Sequence, residues 1–194
     1  ISYDASGNPV AVATGTDGQV LTSTGAGSPP AFEALPAGGI THFDQWRLTS
    51  EFDGGGEITS NLEQVDNTGV GLLGSAMTQS SGIFTFPVTG LWLITYNISY
   101  RAASDGSVKY AGGFIKTTTN NSTYSDPSGG YNSIIDGGGE NTYANSHFRY
   151  IFDVTNVSND KVKFAVSTQQ AGSTVQANTD TTYTGFTFLR LSDT

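Results

Sequence analysis

The sequence has 194 residues, a formal net charge of −9, charged side chains at only 13% of positions, and 25 glycines. The negative charge argues against nucleic-acid binding, because no basic stripe is present to neutralise phosphates. The chain has no cysteine, which excludes disulfides and thiolate metal sites, and no apolar run reaches the ~20 residues of a membrane span.

Residues 1–39 differ in character from the rest of the chain. Short β-prone pieces, at residues 10–13, 19–22 and 31–35, alternate with Gly, Asn-Pro and Pro-Pro turns. Such a segment cannot bury a core alone. A disordered linker is one interpretation, but the regular recurrence of valine and leucine favours a β-rich stem in which three chains wrap together. We therefore predict a fibre stem or linker over 1–39 and a head domain over 40–194.

The head reads as strands separated by turns, at the spacing typical of a β-sandwich, with no convincing helical periodicity. Predicted strands span residues 41–49, 56–60, 62–65, 77–79, 82–86, 91–100, 109–118, 131–135, 146–154, 161–168 and 183–191. The glycine clusters at 54–56, 129–130 and 137–139 are typical of hairpin tips. The strands at 146–154 and 161–168 are expected to pair as an antiparallel hairpin, turned at 158–160.

The run over residues 82–100 carries the clearest pattern. Alternation places Trp92, Ile94 and Tyr96 on one face of a long strand, while Leu91 and Leu93 put apolar bulk on the other. A strand apolar on both sides is covered on both sides, by a second sheet and by a neighbouring subunit. The residues predicted for the core or a trimer interface, without a choice between the two, are Trp92, Tyr96, Tyr150, Tyr183 and Phe186.

The sequence gives little support for a catalytic site or a metal site. His42 and His147 are the only histidines, each on a predicted strand, and no nucleophile-elbow motif or phosphate-binding loop is present. We predict no enzymatic activity and no cofactor. Calcium remains open, because Asp105, Asp126, Asp136 and Glu140 lie in predicted turns, but their spacing matches no calcium loop.

Aromatic residues in polar turns are the most informative surface feature. Tyr124, Tyr131 and Tyr143 lie among Asn, Ser, Asp and Gly residues, with Asp126 and Asp136 between them. This composition suits stacking on sugar rings and hydrogen bonding to their hydroxyls. These five residues are the predicted ligand-binding site. The alternative is that the tyrosines fold back onto the sheet or pack against a subunit.

Two motifs of the head resemble the globular head of the complement first-component q family, a relative of the tumour necrosis factor fold. The first motif is carried by Phe84, Gly90, Trp92, Ile94 and Tyr96, and the second by Thr184, Gly185, Phe186, Phe188 and Leu189. The resemblance implies an all-β jelly-roll sandwich that forms a homotrimer.

The stem resembles a segment that precedes the tip domain in bacteriophage tail-fibre-type proteins. The likeness is carried by Asp17, Gly18, Gln19, Val20, Leu21, Thr22, Ser23, Gly25, Ala26 and Gly27. It implies a virion or extracellular location, contact with other virion proteins through the stem, and attachment of the head to a host cell-surface glycan or protein. A capsid fibre or decoration protein, a bacterial adhesive domain and, third, a depolymerase stay open as alternatives.

Overall fold

The computed structural model describes residues 2–4, 6–25, 28–34, 39–102, 109–135, 140–169 and 172–194. The chain folds into two compact units, Ile1–Gly39 and Ile40–Thr194. Every regular element among the described residues is a β-strand. No helix there is long and apolar enough to cross a bilayer.

The described residues of the first unit form two short antiparallel hairpins. β1 (Ser2–Tyr3) pairs with β2 (Pro9–Val10), and β3 (Gln19–Thr22) pairs with β4 (Ala31–Ala34). The Asp4 carboxylate closes the first turn by accepting hydrogen bonds from the Ser6 and Asn8 amides, each 2.9 Å long. The ring of Phe32 lies against Gly15, where a Cβ atom would be 2.6 Å from the ring. A residue larger than glycine therefore does not fit at position 15.

The described residues of the second unit form thirteen strands. They are β5 (Phe43–Leu48), β6 (Phe52–Asp53), β7 (Gly56–Glu57), β8 (Leu62–Gln64), β9 (Thr78–Ser80), β10 (Ile83–Thr85), β11 (Gly90–Ala102), β12 (Tyr110–Thr118), β13 (Ser125–Ser133), β14 (Thr142–Val154), β15 (Lys161–Thr168), β16 (Ser173–Val175) and β17 (Gly185–Ser192).

These strands form the two antiparallel sheets of a jelly-roll sandwich. Sheet I has the order β8-β5-β17-β11-β14. In the same sheet, β16 pairs with the end of β11, and β6 pairs with β16. Sheet II has the order β9-β10-β15-β12-β13, with β7 also on β15. The all-β sandwich predicted from the sequence is confirmed.

The core is an aromatic layer between the sheets. Phe84 of sheet II contacts the rings of Trp46, Phe164, Phe186 and Phe188, with centroids 5.1–5.8 Å apart. Each large aromatic ring buried here contributes several kcal/mol, so this layer holds the two sheets together.

The prediction that residues 146–154 and 161–168 pair as an antiparallel hairpin is wrong. β14 pairs with β11 in sheet I, whereas β15 pairs with β10 and β12 in sheet II. Each strand has one apolar face, and these faces meet across the sandwich instead of lying side by side. The Asp160 carboxylate shapes the connection by accepting hydrogen bonds from the amides of Thr155 (2.7 Å) and Asn156 (2.8 Å).

The turn prediction at residues 129–130 is also wrong. Gly129 and Gly130 lie inside β13, which begins at Ser125, six residues before the predicted start. Proline and glycine there oppose strand propensity, but pairing with β12 imposes the extended conformation. The short strands β6 and β16 were not predicted from the sequence. The predicted hairpin tip at residues 137–139 lies outside the described part of the chain.

Replacing Trp92 with alanine should lower the free energy of unfolding by about 3 to 5 kcal/mol, because truncated core aromatics leave a cavity. Trp92 is buried, and its rings pack on Phe86 and His42 at 5.3 and 5.8 Å. Urea denaturation measures the loss. Asn97→Ala, on an exposed position of the same strand, is the control and should change stability by less than ~0.5 kcal/mol. Equal stability of the two variants would contradict the assigned faces.

Alkaline pH should destabilise the head through Tyr96. Burial raises the pKa of this phenol well above its usual 10.0, and Tyr100 adds a smaller effect in the same direction. Above pH 10 the unfolded chain releases a proton that the folded state retains, so stability is complete below that pH and falls as the pH rises. Urea midpoints from pH 8 to 11 measure this. Tyr96→Phe should show a shallower alkaline loss, and an unchanged slope would show that Tyr96 does not cause it.

Candidate functional site

The outer face of sheet II presents side chains at alternate positions of β12. Ala111 and Ile115 point into the core and are fully buried, so Tyr110 and Phe114 point outwards. Tyr131 of the neighbouring β13 pairs with Gly112 and lies on the same outer face. Strand pairing thus brings three aromatic residues together on a solvent-facing surface.

In this set of three rings, which we call the aromatic platform, Tyr131 contacts both of the others. The Tyr131 ring centroid lies 5.0 Å from that of Tyr110 and 5.7 Å from that of Phe114, with interplanar angles of 77° and 80°. Such edge-to-face pairs are the favoured geometry for aromatic side chains. Tyr131 remains 58% exposed and Tyr110 39% exposed. The rings are therefore held in place yet open to solvent.

Glycine is required beside the platform because a ring occupies the space above it. A Cβ atom at Gly129 would be 2.3 Å from Phe114 Cδ1 and 2.5 Å from the Gly113 carbonyl oxygen. Gly112 contributes no side chain between Tyr110 and Phe114. Glycine at position 129, which read as a hairpin tip in the sequence, thus leaves the space that the Phe114 ring occupies.

Charged pairs occupy the other end of the same face. Lys116 lies 2.7 Å from Asp126, and Lys163 lies 2.7 and 2.8 Å from the two carboxylate oxygens of Glu57. The Lys163 ammonium also sits 4.1 Å from the centroid of the Tyr124 ring, a cation–π contact. Burial, and then the charge of Glu57, raise the pKa of Tyr124.

Three of the five predicted ligand-binding residues therefore share the outer face of sheet II. Tyr131 belongs to the aromatic platform, while Tyr124 and Asp126 are engaged by lysines at the charged end. Tyr143 lies elsewhere, on β14 of sheet I, and is 62% exposed. Asp136 lies outside the described residues.

Tyr143 borders a separate cleft between the end of β13 and the start of β14. The cleft has a volume of about 570 Å³ and is lined by Asn132, Ser133, Ile135, Asn141, Thr142, Tyr143 and Ala144. The Asn132 side-chain amide donates a 2.8 Å hydrogen bond to the Asn145 carbonyl, which ties the edges of the two sheets together. The cleft is lined by both polar and apolar side chains, and it contains one aromatic ring where the platform has three.

Sequence reasoning missed Tyr110 and Phe114. Both lie in a predicted strand whose two faces are apolar. The alternation of side chains along that strand therefore did not distinguish the buried face from the exposed face. The glycine pair 129–130 was a usable signal for Phe114, which lies opposite Gly129, because two adjacent glycines in a strand indicate close approach by another group.

The residues predicted for the core or an interface separate into two groups. Trp92, Tyr96 and Phe186 are fully buried within one sandwich, and Tyr150 packs against that core while partly exposed. Tyr183 is 45% exposed, so the core is ruled out for it. An interface between subunits is the remaining alternative for Tyr183.

An apolar row crosses the outer face of sheet I. Cross-strand pairing aligns Phe43 with Leu189, Leu189 with Leu93, and Leu93 with Ile151. Ile151 is 55% exposed, and at the other end of the row Ile40, Leu72 and Leu73 line a cleft of about 520 Å³ together with Phe43. We call the four aligned residues the apolar row.

Carboxylates do not converge in the described residues. No group of three or more His, Asp or Glu side chains there could hold a metal ion, and Asp126 is paired with Lys116. Asp105 and Asp136 lie outside the described residues.

Comparison with known proteins identifies the fold. No protein-family model and no curated protein matches the chain. Among solved structures, murine APRIL at pH 5.0 superposes with a TM-score of 0.56 at 10% identity, covering 77% of this chain and 98% of that one. Murine APRIL at pH 8.5 gives a TM-score of 0.47 at the same identity and coverage. The head thus has the jelly-roll fold of the tumour necrosis factor type.

Replacing Gly129 with alanine should destabilise the head by about 1 to 3 kcal/mol and disturb the platform, because the added methyl collides with Phe114 and the β12 backbone. Thermal unfolding and the near-ultraviolet circular dichroism of the tyrosines measure the two effects. Gly130→Ala is the matched control, since its Cβ would meet its nearest neighbour, Phe148, at an ordinary 3.6 Å. If both variants behave like the parent, the tight packing of Phe114 on Gly129 is absent.

Proposed function

We propose that this chain is the head and part of the stem of a trimeric fibre protein of the bacteriophage tail-fibre type, which attaches a virion to a host cell-surface component by binding and not by catalysis. The observation that carries the proposal is the contrast between the two outer faces of the sandwich. One has an apolar row suited to self-association, and the other has exposed aromatic rings suited to recognition.

The apolar row supports the trimer. Its four residues are aligned across β5, β17, β11 and β14, and the cleft beyond Phe43 extends the apolar surface. Large exposed apolar patches are rare on monomers and mark interaction sites. Folds of the tumour necrosis factor type commonly form homotrimers. Burial of this row against a second copy of the chain is therefore the proposed role of sheet I.

The stem supports a fibre. Val20, Leu21 and Phe32 of the β3–β4 hairpin are all partly or largely exposed. An isolated two-stranded hairpin is marginally stable in water, so further strands are needed to cover these side chains. Three stems wrapped around one another supply them, and other virion proteins would join the fibre at this end.

Recognition is proposed for the outer face of sheet II. Its exposed tyrosines lie on a strand paired on both sides, β12, and its edge neighbour β13, so they are presented on a rigid surface. Three heads on each fibre would present three copies of the surface. Linked weak sites reach high overall avidity through effective concentration.

A substitution that dissociates the trimer should also reduce adsorption to host cells. Ile151→Asp places a carboxylate in the apolar row but alters an exposed side chain of the monomer, so the head should stay folded while its mass falls from about three times 20.3 kDa to a single chain. Cell adsorption should fall by about 10² or more, because avidity is lost. Analytical ultracentrifugation and adsorption of the labelled protein to a panel of bacterial strains measure both.

Ile151→Leu is the matched control, since it keeps the row apolar and should leave mass and adsorption unchanged. A parent protein that is a folded monomer would contradict the trimer. A trimer that adsorbs to none of the strains, including the host of the virion that carries it, would contradict attachment.

A further inference from the structure

The aromatic platform projects from paired strands of sheet II. Tyr110, Phe114 and Tyr131 project from β12 and β13, and β12 is hydrogen-bonded on both sides, to β13 and β15. Tyr131 stands edge-to-face between the other two rings. Because strand pairing and ring contacts already restrict these side chains, little conformational entropy is lost when a ligand binds.

The surroundings of the platform are neutral and carry hydroxyl groups. The cross-strand partners are Ser133 opposite Tyr110, Ser167 opposite Gly112, and Ala165 opposite Phe114. The nearest charges farther along the face, Lys116 and Lys163, are compensated by Asp126 and Glu57. Among the described residues of this face, the surface around the rings therefore offers aromatic faces and hydroxyls, and the two lysines farther along it are already paired with carboxylates.

We propose that the platform is a binding site for a neutral carbohydrate, in which a pyranose ring lies in the angle between Tyr131 and Tyr110, stacked on one ring and in contact with the other. The C–H groups on one face of a sugar ring carry partial positive charge, which suits the negative face of an aromatic ring. The phenol hydroxyls and those of Ser133 and Ser167 can exchange hydrogen bonds with the sugar hydroxyls. This inference rests on the proposed function and specifies its receptor.

A protein partner fits this surface less well. A stable protein interface buries about 800 Å² on each side around a hydrophobic centre. Three rings flanked by serine, alanine and glycine give a smaller apolar area, whereas their extent matches one or two sugar rings. An anionic membrane surface is disfavoured by the net charge of −9.

The test is the full chain on an array of immobilised neutral oligosaccharides, built from glucose, galactose, mannose and N-acetylated hexosamines, next to sialylated and sulfated forms of the same backbones. We expect the parent to bind at least one neutral glycan. Tyr131→Ala and Tyr110→Ala should each weaken that binding by about tenfold or more, because a stacking surface is lost. Tyr131→Phe keeps the ring and should stay within about threefold of the parent.

Tyr3→Ala is the matched control, because Tyr3 is also 58% exposed but lies in the stem unit. It should bind like the parent. Ultracentrifugation and thermal unfolding verify that each variant keeps its mass and fold, and the Tyr110 variant keeps the test decisive if the Tyr131 variant unfolds. The proposal is overturned if no neutral glycan is bound, if only the charged forms are bound, or if Tyr131→Ala and Tyr110→Ala bind like the parent.

Cell adsorption separates this inference from the proposed function. If parent and Tyr131→Ala adsorb equally to cells, and periodate oxidation of the cell-surface sugars has no effect, the carbohydrate site is wrong while attachment by the fibre stands. If glycans are bound through Tyr131 but no host cell is, the site stands and the attachment role fails.

Discussion

The pairing of β11 along both of its edges is the constraint on which the rest of the head depends. One edge pairs with β14 over thirteen residues, from Gly90 to Ala102, and the other pairs first with β17 and then with β16. Pairing on both edges fixes the position of β11 within sheet I, and the pleat then points its side chains alternately to the second sheet and away from it. Trp92, Ile94 and Tyr96 thereby form the floor of the core, and Leu93 is committed to the apolar row.

The two outer faces of the sandwich are consequences of the same arrangement. The inward side chains of each strand are buried in the aromatic layer between the sheets. Only the alternate, outward side chains are therefore accessible to a ligand or a partner. On sheet I these are apolar in one row and polar elsewhere, which suits contact with another copy of the chain. On sheet II they are aromatic and neutral at one end and carry compensated charges at the other. The face proposed for assembly and the face proposed for recognition therefore share no residues.

Buried polar groups fix the geometry at the edges of the sandwich. The Asp44 carboxylate accepts hydrogen bonds from the Trp46 indole (2.9 Å), the Gln64 amide (2.8 Å) and the Met77 backbone (2.8 Å). Arg47 is almost fully buried, and its guanidinium donates to Glu63 at 2.6 Å and to Asp66 at 2.5 Å. Satisfied buried networks of this kind specify one arrangement of loops over another. They hold residues 63–77 beside the apolar row.

The sequence by itself determined the all-β class, most of the long strands and the two-faced pattern of residues 91–100 that puts Trp92 and Tyr96 on one face, because a period of two in apolar residues is a local property. It could not decide which strands pair, since the apolar faces of 146–154 and 161–168 fit a hairpin and a sandwich equally well. Only the tertiary structure placed Tyr110 and Phe114 beside Tyr131 and moved Tyr143 to the other sheet. The reason is physical: a binding surface on a sheet is built from residues that are neighbours across strands, and that adjacency is set by hydrogen-bond register between segments far apart in the chain.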